Sequence, residues 1–536
     1  MPSSSSVTES PPLNVADHVA YHARRRPDSA ALTFRDRSWS YGELDACAAR
    51  ASNVLATHGI LPGDRVALHL PNSPAFIVAY LGALRLGAIP VAIAASWRAE
   101  SIAAALMDVA PRVIITTCTL HERLAGLSFA PDLRALFVAD PTTESIPRLE
   151  RSWESLLSRA RDVAPMWRAR PETPAAILFS SGTTATPKGV VLSHANVATN
   201  ARLKARYCGL VPGDTVALVV PLFHCFGQNA IMNAAFHAGA CVVLSERFDA
   251  ATLAHEIATR NVSVLFGVPQ MFNRLLDIGD VDAQSMGALR YVLSAASTLP
   301  ASLAERWLGT TRLPMREAYG LTESSPFAAY NGVARHVPGT LGAPVAGVRM
   351  AVVDPECDAP CAIGERGEIV MQGHNVMLGY WNRPEETAHV LRGGWLHTGD
   401  IGYADDSRRF VLVDRMADLV KVNGFRVYPA TVEAVLRAHP SVADVAAFGI
   451  VDVAHGERLE VAVVLSPESD TTPDALRRYC VARLAPYEVP SRVHVCSELP
   501  RSGTGKVSRP ELRTASSHPL GLQHALDARF TFTTHG

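Results

Sequence analysis

The most regular apolar pattern in the chain lies over residues 40–59. Leu44, Cys47, Ala48, Ala51, Val54 and Leu55 recur at helical spacing on one face. Ser40 and Glu43 stand three apart as a capping box, Gly59 follows as a stop signal, and Pro62 comes shortly after. The pattern predicts a helix over 40–59. PGDRVALHLP then switches to a short apolar run, which predicts a buried strand.

A second passage repeats this plan. PGDRVAL begins at Pro62 and PGDTVAL at Pro212. LGAIPVAI (86–93) follows the first and AGACVVL (238–244) the second. Each leads to a helix-like stretch and a further apolar run, RVIITT (112–117) and VSVLFGVP (262–269). Three ordered matches predict two related α/β units, with helices packed around mostly parallel strands.

After about residue 330 the texture changes. Gly and Pro become dense (VPGTLGAPVAGV, GERGEIVMQG) among short alternating runs, which predicts a β-rich subdomain. A second change falls at DRMADLVKVNGFRVYP (414–429). Beyond it the pattern predicts a helix (TVEAVLRAHP), strands VADVAAFGI and LEVAVVLS, a helix near 473–485 and a strand near 492–496. The expected fold is therefore α/β plus α+β. Residues 14–413 form a large domain of two related α/β subdomains and a β-rich one, and 414–515 form a small α+β domain. Residues 1–13 read as a disordered leader and 516–536 as a tail.

Composition narrows the function classes. Lys plus Arg number 50 against 51 acids in 536 residues, so net charge argues for neither nucleic acid nor an anionic membrane as the main partner. No run of eighteen apolar residues offers a membrane span. The opening MPSSSSVTESPP lacks the basic and apolar regions of a signal peptide. Nine scattered cysteines show no zinc spacing and fit free thiols in a reducing cytoplasm.

Candidate chemistry starts at ILFSSGTTATPKGVVLSH (177–194). Ser180, Ser181, Thr183 and Thr184 offer hydroxyls, Gly182 lets the backbone approach an anion, and Lys188 supplies a point charge. Pro187 before the lysine and Gly189 after it rule out the Walker pattern. A polar hairpin loop with a solvated lysine is the plain alternative.

SSGTTATPKG resembles the phosphate loop of the adenylate-forming superfamily, which holds acyl-CoA synthetases, luciferases and peptide-synthetase adenylation domains. YGLTES (319–324), GWLHTGD (394–400), DRMADLVKVNGFRVYP and PRSGTGKVSR (500–509) resemble its later motifs in order, so the resemblance spans about residues 14–515. Two departures stand out: Ala185 replaces the usual glycine after the threonines, and Ala417 occupies a hinge position often held by Asp or Lys.

The resemblance implies roles. ATP phosphates would lie on Ser180, Ser181, Gly182, Thr183, Thr184 and Lys188. Adenine would meet Tyr319, the ribose hydroxyls Asp400 and Arg415, and the α-phosphate Thr322, with Gly320 and Ala296 also among the nucleotide-binding residues. Glu323, with Thr184, would hold Mg²⁺. Lys506 would be the catalytic lysine carried by a mobile small domain. Lys421, Asn423 and Gly424 would serve the second half-reaction, after that domain rotates. Each has a plain structural alternative: a turn-capping aspartate, a surface arginine, a core tyrosine, an exposed hairpin lysine.

PLFHCFGQN (221–229) resembles the acyl-CoA synthetase segment that lines the acyl pocket. The aspartate that peptide-synthetase domains place there for a substrate amine is missing, which disfavours amino acids. His224 then reads as pocket wall or gate, or as a satisfied buried histidine. His224, Phe226, Gly267, Ser294 and Ala295 are the expected pocket residues, with room for a fatty or aryl acid. No phosphopantetheine serine is evident near the end, so coenzyme A is the expected acceptor. The alternatives are an amide ligase using an amine or amino acid, a ligase loading a separate carrier protein, and a non-catalytic nucleotide-binding scaffold.

Overall fold

A computed structural model describes residues 14–522 apart from 130, 140–149, 181–186, 333–335, 423–424, 453–455, 468, 502–506 and 517–521. The chain folds as two compact units. The first comprises Met1–Met350 with Met371–His397, and the second Ala351–Val370 with Thr398–Gly536.

The predicted capping box is present. Ser40 Oγ accepts from Glu43 N at 3.2 Å, and Glu43 Oε2 accepts from Ser40 N at 2.8 Å, opening the helix Tyr41–Thr57. Leu44, Ala48, Ala51, Val54 and Leu55 are buried, while Cys47 is half-buried. The next helix, Pro74–Leu86, crosses so closely that a Cβ on Gly82 would come within 2.4 Å of Ala51 Cβ. Only glycine allows that approach.

The internal repeat is the plan of the first unit. In an eight-stranded sheet, the strand Arg65–His69 pairs in parallel with Ile89–Ala92 on one side and Val113–Thr117 on the other. In a nine-stranded sheet, Thr215–Leu218 pairs in the same way with Cys241–Leu244 and Val264–Gly267. Each PGD turn thus feeds a strand flanked by the later two of its own set. The nine-stranded sheet also takes in Ala30–Phe34, which pairs with Cys241–Leu244 across about two hundred residues of sequence.

Four imidazoles of the first unit are kept neutral, chiefly by desolvation. His18 lies well below the ordinary histidine range, and His69, His194 and His237 are each pushed down to about 4. The rings of His18 and His237 meet edge-on, with centroids 4.8 Å apart. His194 Nδ1 accepts from Val15 N at 3.2 Å, which requires an unprotonated nitrogen. The unfolded chain takes up these protons at about pH 6.5 and the folded chain does not. Their stabilisation is therefore complete above that pH and is lost as pH falls toward 4, at about 1.4 kcal/mol per pH unit for each group. Burial pushes Glu317 up to about 7 and Asp414 up to about 6 and raises Asp17 and Asp108, all acting in the opposite sense, while His22, His336 and His374, also lowered by burial, add to the four imidazoles. The urea midpoint is expected to fall steadily from pH 7 to pH 5; an unchanged midpoint would show that these rings are protonated in the fold.

The strand Leu396–Ala404, which belongs to the second unit from Thr398 on, forms an antiparallel hairpin with Phe410–Arg415 within a four-stranded sheet. A five-stranded sheet follows, built on the long pair Val442–Asp452 and Gly456–Leu465, with Arg492–Val495 added in parallel. Helices Pro429–Arg437 and Pro473–Val481 complete the expected α+β pattern. Both hairpin strands end before residue 416, so the second compact unit takes in structure that precedes residue 414. Among the described residues no helix is long and apolar enough to cross a membrane.

Candidate active site

The phosphate-loop segment is held by a hairpin. Pro174–Ser180 runs antiparallel to Lys188–Ser193, with Ser180 opposite Lys188 in register. Ser181, Gly182, Thr183 and Thr184 lie outside the described residues. Lys188 Nζ forms an ion pair with Glu386 and sits 5.4 Å from the Tyr380 ring centroid. The pair holds Glu386 below the usual carboxylate range.

Strand Met315–Tyr319 leads into the tight turn Thr322–Ser324. A Cβ on Gly320 would fall 1.7 Å from Pro326 O, so this position demands glycine. Tyr319, Thr322 and Glu323 are largely buried, and Ser325 Oγ donates to Asn375 O at 2.7 Å to anchor the turn. Both strands of the loop hairpin pack against this turn. Tyr380 Oη donates to Glu323 Oε1 at 2.9 Å, and burial plus that carboxylate push the phenol far above its ordinary range. A carboxylate, a phenol and an ammonium thus line up as Glu323, Tyr380 and Lys188. Sequence reasoning missed Tyr380 and Glu386. The available signal was the polar-aromatic run GYWNRPEET (379–387), which neither a core nor a plain loop requires.

The acid-pocket candidates divide. Asn72 Oδ1 accepts from Leu222 N at 2.7 Å and fixes the segment before His224. Phe226–Asn233 is π-helical, a distortion common at functional sites. His224 Nδ1 accepts from Phe226 N at 3.3 Å. Register places Gly267 beside Ser294 in one row of the sheet, while Ala295 lies in the next row and so faces the other side. Ser294 Oγ is buried without a partner, and Ala296 adopts a left-handed backbone at φ 68°.

In the second unit, Asp400 stands directly across the hairpin from Arg415. Asp400 is 1% exposed, and Arg415 Nε lies 2.5 Å from its Oδ1, an ion pair off the line of a hydrogen bond. Asp400 N donates to Thr398 Oγ1 at 3.0 Å, and Gly399 N to Glu368 Oε1 at 2.8 Å. Gly399 has φ 69°, the turn conformation that glycine adopts freely. Lys421 projects from Val420–Val422, and its amide donates to Glu457 Oε2 at 2.7 Å. Asn423 and Gly424 lie outside the described residues, as does Lys506. The segment around Lys506 is tied down on both sides. Arg501 bridges to Val507, and Arg509 forms ion pairs with Asp418 at 2.9 Å and Glu433 at 2.7 Å.

Residues 19–381 match the family model described as AMP-binding enzyme, and residues 431–506 match that of the AMP-binding enzyme C-terminal domain. The chain belongs to the AMP-binding enzyme family. It is 30% identical over 516 residues to the long-chain-fatty-acid–CoA ligase of Bacillus subtilis (strain 168), covering 91% of this chain and 92% of that one. The fold is similar to that of ATP-bound MatB from Rhodopseudomonas palustris, with 28% identity, TM-score 0.87, and 94% and 99% of the two chains covered. It is also similar to the anthranilate CoA ligase AuaEII in complex with anthranoyl-AMP, at 26% identity and TM-score 0.84, covering 94% and 98%.

Proposed function

We infer that this AMP-binding enzyme joins a carboxylic acid to a thiol in two half-reactions. It is an AMP-forming acid–thiol ligase. The acid attacks the α-phosphorus of ATP and expels pyrophosphate; coenzyme A then attacks the acyl-adenylate carbonyl and releases AMP. The observation that carries the reading is the packing of the Thr322–Ser324 turn against the hairpin that ends in Ser180 and Lys188. A hydroxyl, a carboxylate and an ammonium then stand where phosphate charge must be compensated.

The residues take these roles. Lys188 and the hydroxyl loop hold the phosphates, Thr322 donates to the α-phosphate, and Tyr319 stacks on adenine. Asp400 accepts from the ribose hydroxyls and Arg415 fixes its orientation. Lys506 supplies an ammonium to the first half-reaction, and Lys421 serves the second. Residues 414–515 act as the functional small domain. Among the described residues no group of three or more His, Cys, Asp or Glu could cage a metal. The largely buried carboxylate of Glu323 suits Mg²⁺, which favours one or two carboxylates together with phosphates and waters. Glu323 and Thr184 would hold it, and when bound it would offset phosphate charge. The acid is fatty or aryl, as in fatty acid metabolism, and the nine scattered cysteines favour the cytoplasm.

Incubation with ATP, Mg²⁺ and a panel of acids tests this, with and without coenzyme A or amines. Pyrophosphate is expected with some acids, and a thioester only when coenzyme A is present. Amide without thioester would make it an amide ligase, and no pyrophosphate with any acid would leave a nucleotide-binding scaffold.

A further inference from the structure

The helix His194–Cys208 carries a lysine sealed in the first unit. Lys204 is 1% exposed, and its Nζ lies 4.6 Å from the Phe327 ring centroid and 5.1 Å from that of Phe266. Desolvation lowers its proton affinity, an effect that the buried Cys208 thiol opposes. No described carboxylate pairs with it. One turn earlier, the fully buried Asn200 donates Nδ2 to Phe327 O at 3.0 Å and leaves Oδ1 without a partner.

A second cation lies on the same side of the nine-stranded sheet. Register aligns Phe266, Leu293 and Arg316 in one row, and Ala295, Ala318 and Tyr330 two positions on, hence on the same face. The Arg316 guanidinium lies over the Tyr291 ring at 4.3 Å, with Nη1 buried and unpartnered. Cys208 senses both Lys204 and Arg316. The Tyr291 and Tyr330 hydroxyls meet at 3.1 Å. Glu317 belongs to the intervening row and so turns to the other face, where it meets Asn331 and His336. Two cations and unsatisfied polar groups therefore share one buried face without a carboxylate among the described residues. Buried charge in that state calls for a counter-ion.

The position suggests where the counter-ion comes from. Ala295, an acid-pocket candidate, lies on the same face as Phe266 and Arg316, and Phe327 closes the loop that starts at Tyr319. The ammonium sits between the segments assigned to the acid and to the nucleotide. We propose that Lys204, seconded by Arg316, recognises a second anionic group at the far end of the acid, so that the preferred substrates are dicarboxylic or other doubly anionic acids. The proposal rests on the ligase reading above.

Pyrophosphate release with matched acids tests it: straight-chain mono- and dicarboxylates of three to ten carbons, and benzoate against terephthalate. The intact enzyme is expected to favour the best diacid over its monoacid partner by on the order of ten-thousandfold in kcat/KM, the discrimination typical of a site whose buried polar groups would otherwise stay unpaired. Lys204→Met, of similar length and apolar, should abolish that preference and raise turnover of the monoacid, with a melting temperature no lower than that of the intact enzyme. If that variant fails to fold, Arg316→Met reads the same ratio, and the panel on the intact enzyme decides by itself. Pyrophosphate with monoacids in preference to every diacid would overturn this proposal alone, as would an unchanged ratio in Lys204→Met. No pyrophosphate with any acid would overturn the ligase reading and this proposal with it.

Discussion

Lys506→Ala is expected to slow acyl-adenylate formation by roughly a hundredfold to a thousandfold, the effect of removing one well-placed donor to developing charge. The first half-reaction brings two anions together, so each compensating cation counts. Ion pairs from Arg509 to Asp418 and Glu433, and from Arg501 to Asp444, lie on both sides of the segment and do not depend on the lysine. The variant should therefore fold normally. Given synthetic acyl-adenylate and coenzyme A, it should still make thioester at close to the normal rate. Lys421→Ala should do the reverse, since the exposed Lys421 is assigned to the second half-reaction. Single-turnover measurements of each half-reaction check this; equal damage to both steps in both variants would contradict the division of labour.

Asp400→Asn is expected to lower kcat/KM for ATP on the order of a hundredfold, because a carboxylate that accepts two hydroxyls makes charge-assisted bonds an amide does not match. The backbone bonds that shape the site, Asp400 N to Thr398 Oγ1 and Gly399 N to Glu368, are untouched by the change. Arg415 is half-exposed, so it regains water when its partner's charge is lost, and stability should fall by no more than about 1 kcal/mol. The sharper readout is sugar selectivity. The intact enzyme should prefer ATP to 2′-deoxy-ATP, and Asp400→Asn should lose most of that preference. An unchanged preference would remove Asp400 from the ribose site.

Local signals carried much of the fold. The capping box at Ser40 and Glu43, the paired PGD turns and the α+β pattern beyond residue 429 all depend on near neighbours, and all are present. What the sequence hid is long-range. Ala30–Phe34 joins the nine-stranded sheet through Cys241–Leu244, and no local pattern encodes that choice of partner. Tyr380 reaches Glu323 because Gly379–Tyr380 pairs with the hairpin strand at Val190 and Val191, almost two hundred residues earlier. Gly267, Ser294 and Ala295 are pocket candidates as small residues, and size alone does not reveal that Gly267 and Ser294 face away from Ala295. No sequence motif singles out Lys204; its burial between two rings appears only once the strands are in register.

The central claim is that the acid attacks the α-phosphorus of ATP. The direct test supplies a carboxylic acid labelled with ¹⁸O at both carboxyl oxygens, together with ATP, Mg²⁺ and coenzyme A, and reads the products by mass spectrometry. One label should appear in AMP and the other in the thioester carbonyl. Label in inorganic phosphate alongside ADP, or AMP without label, would contradict the account.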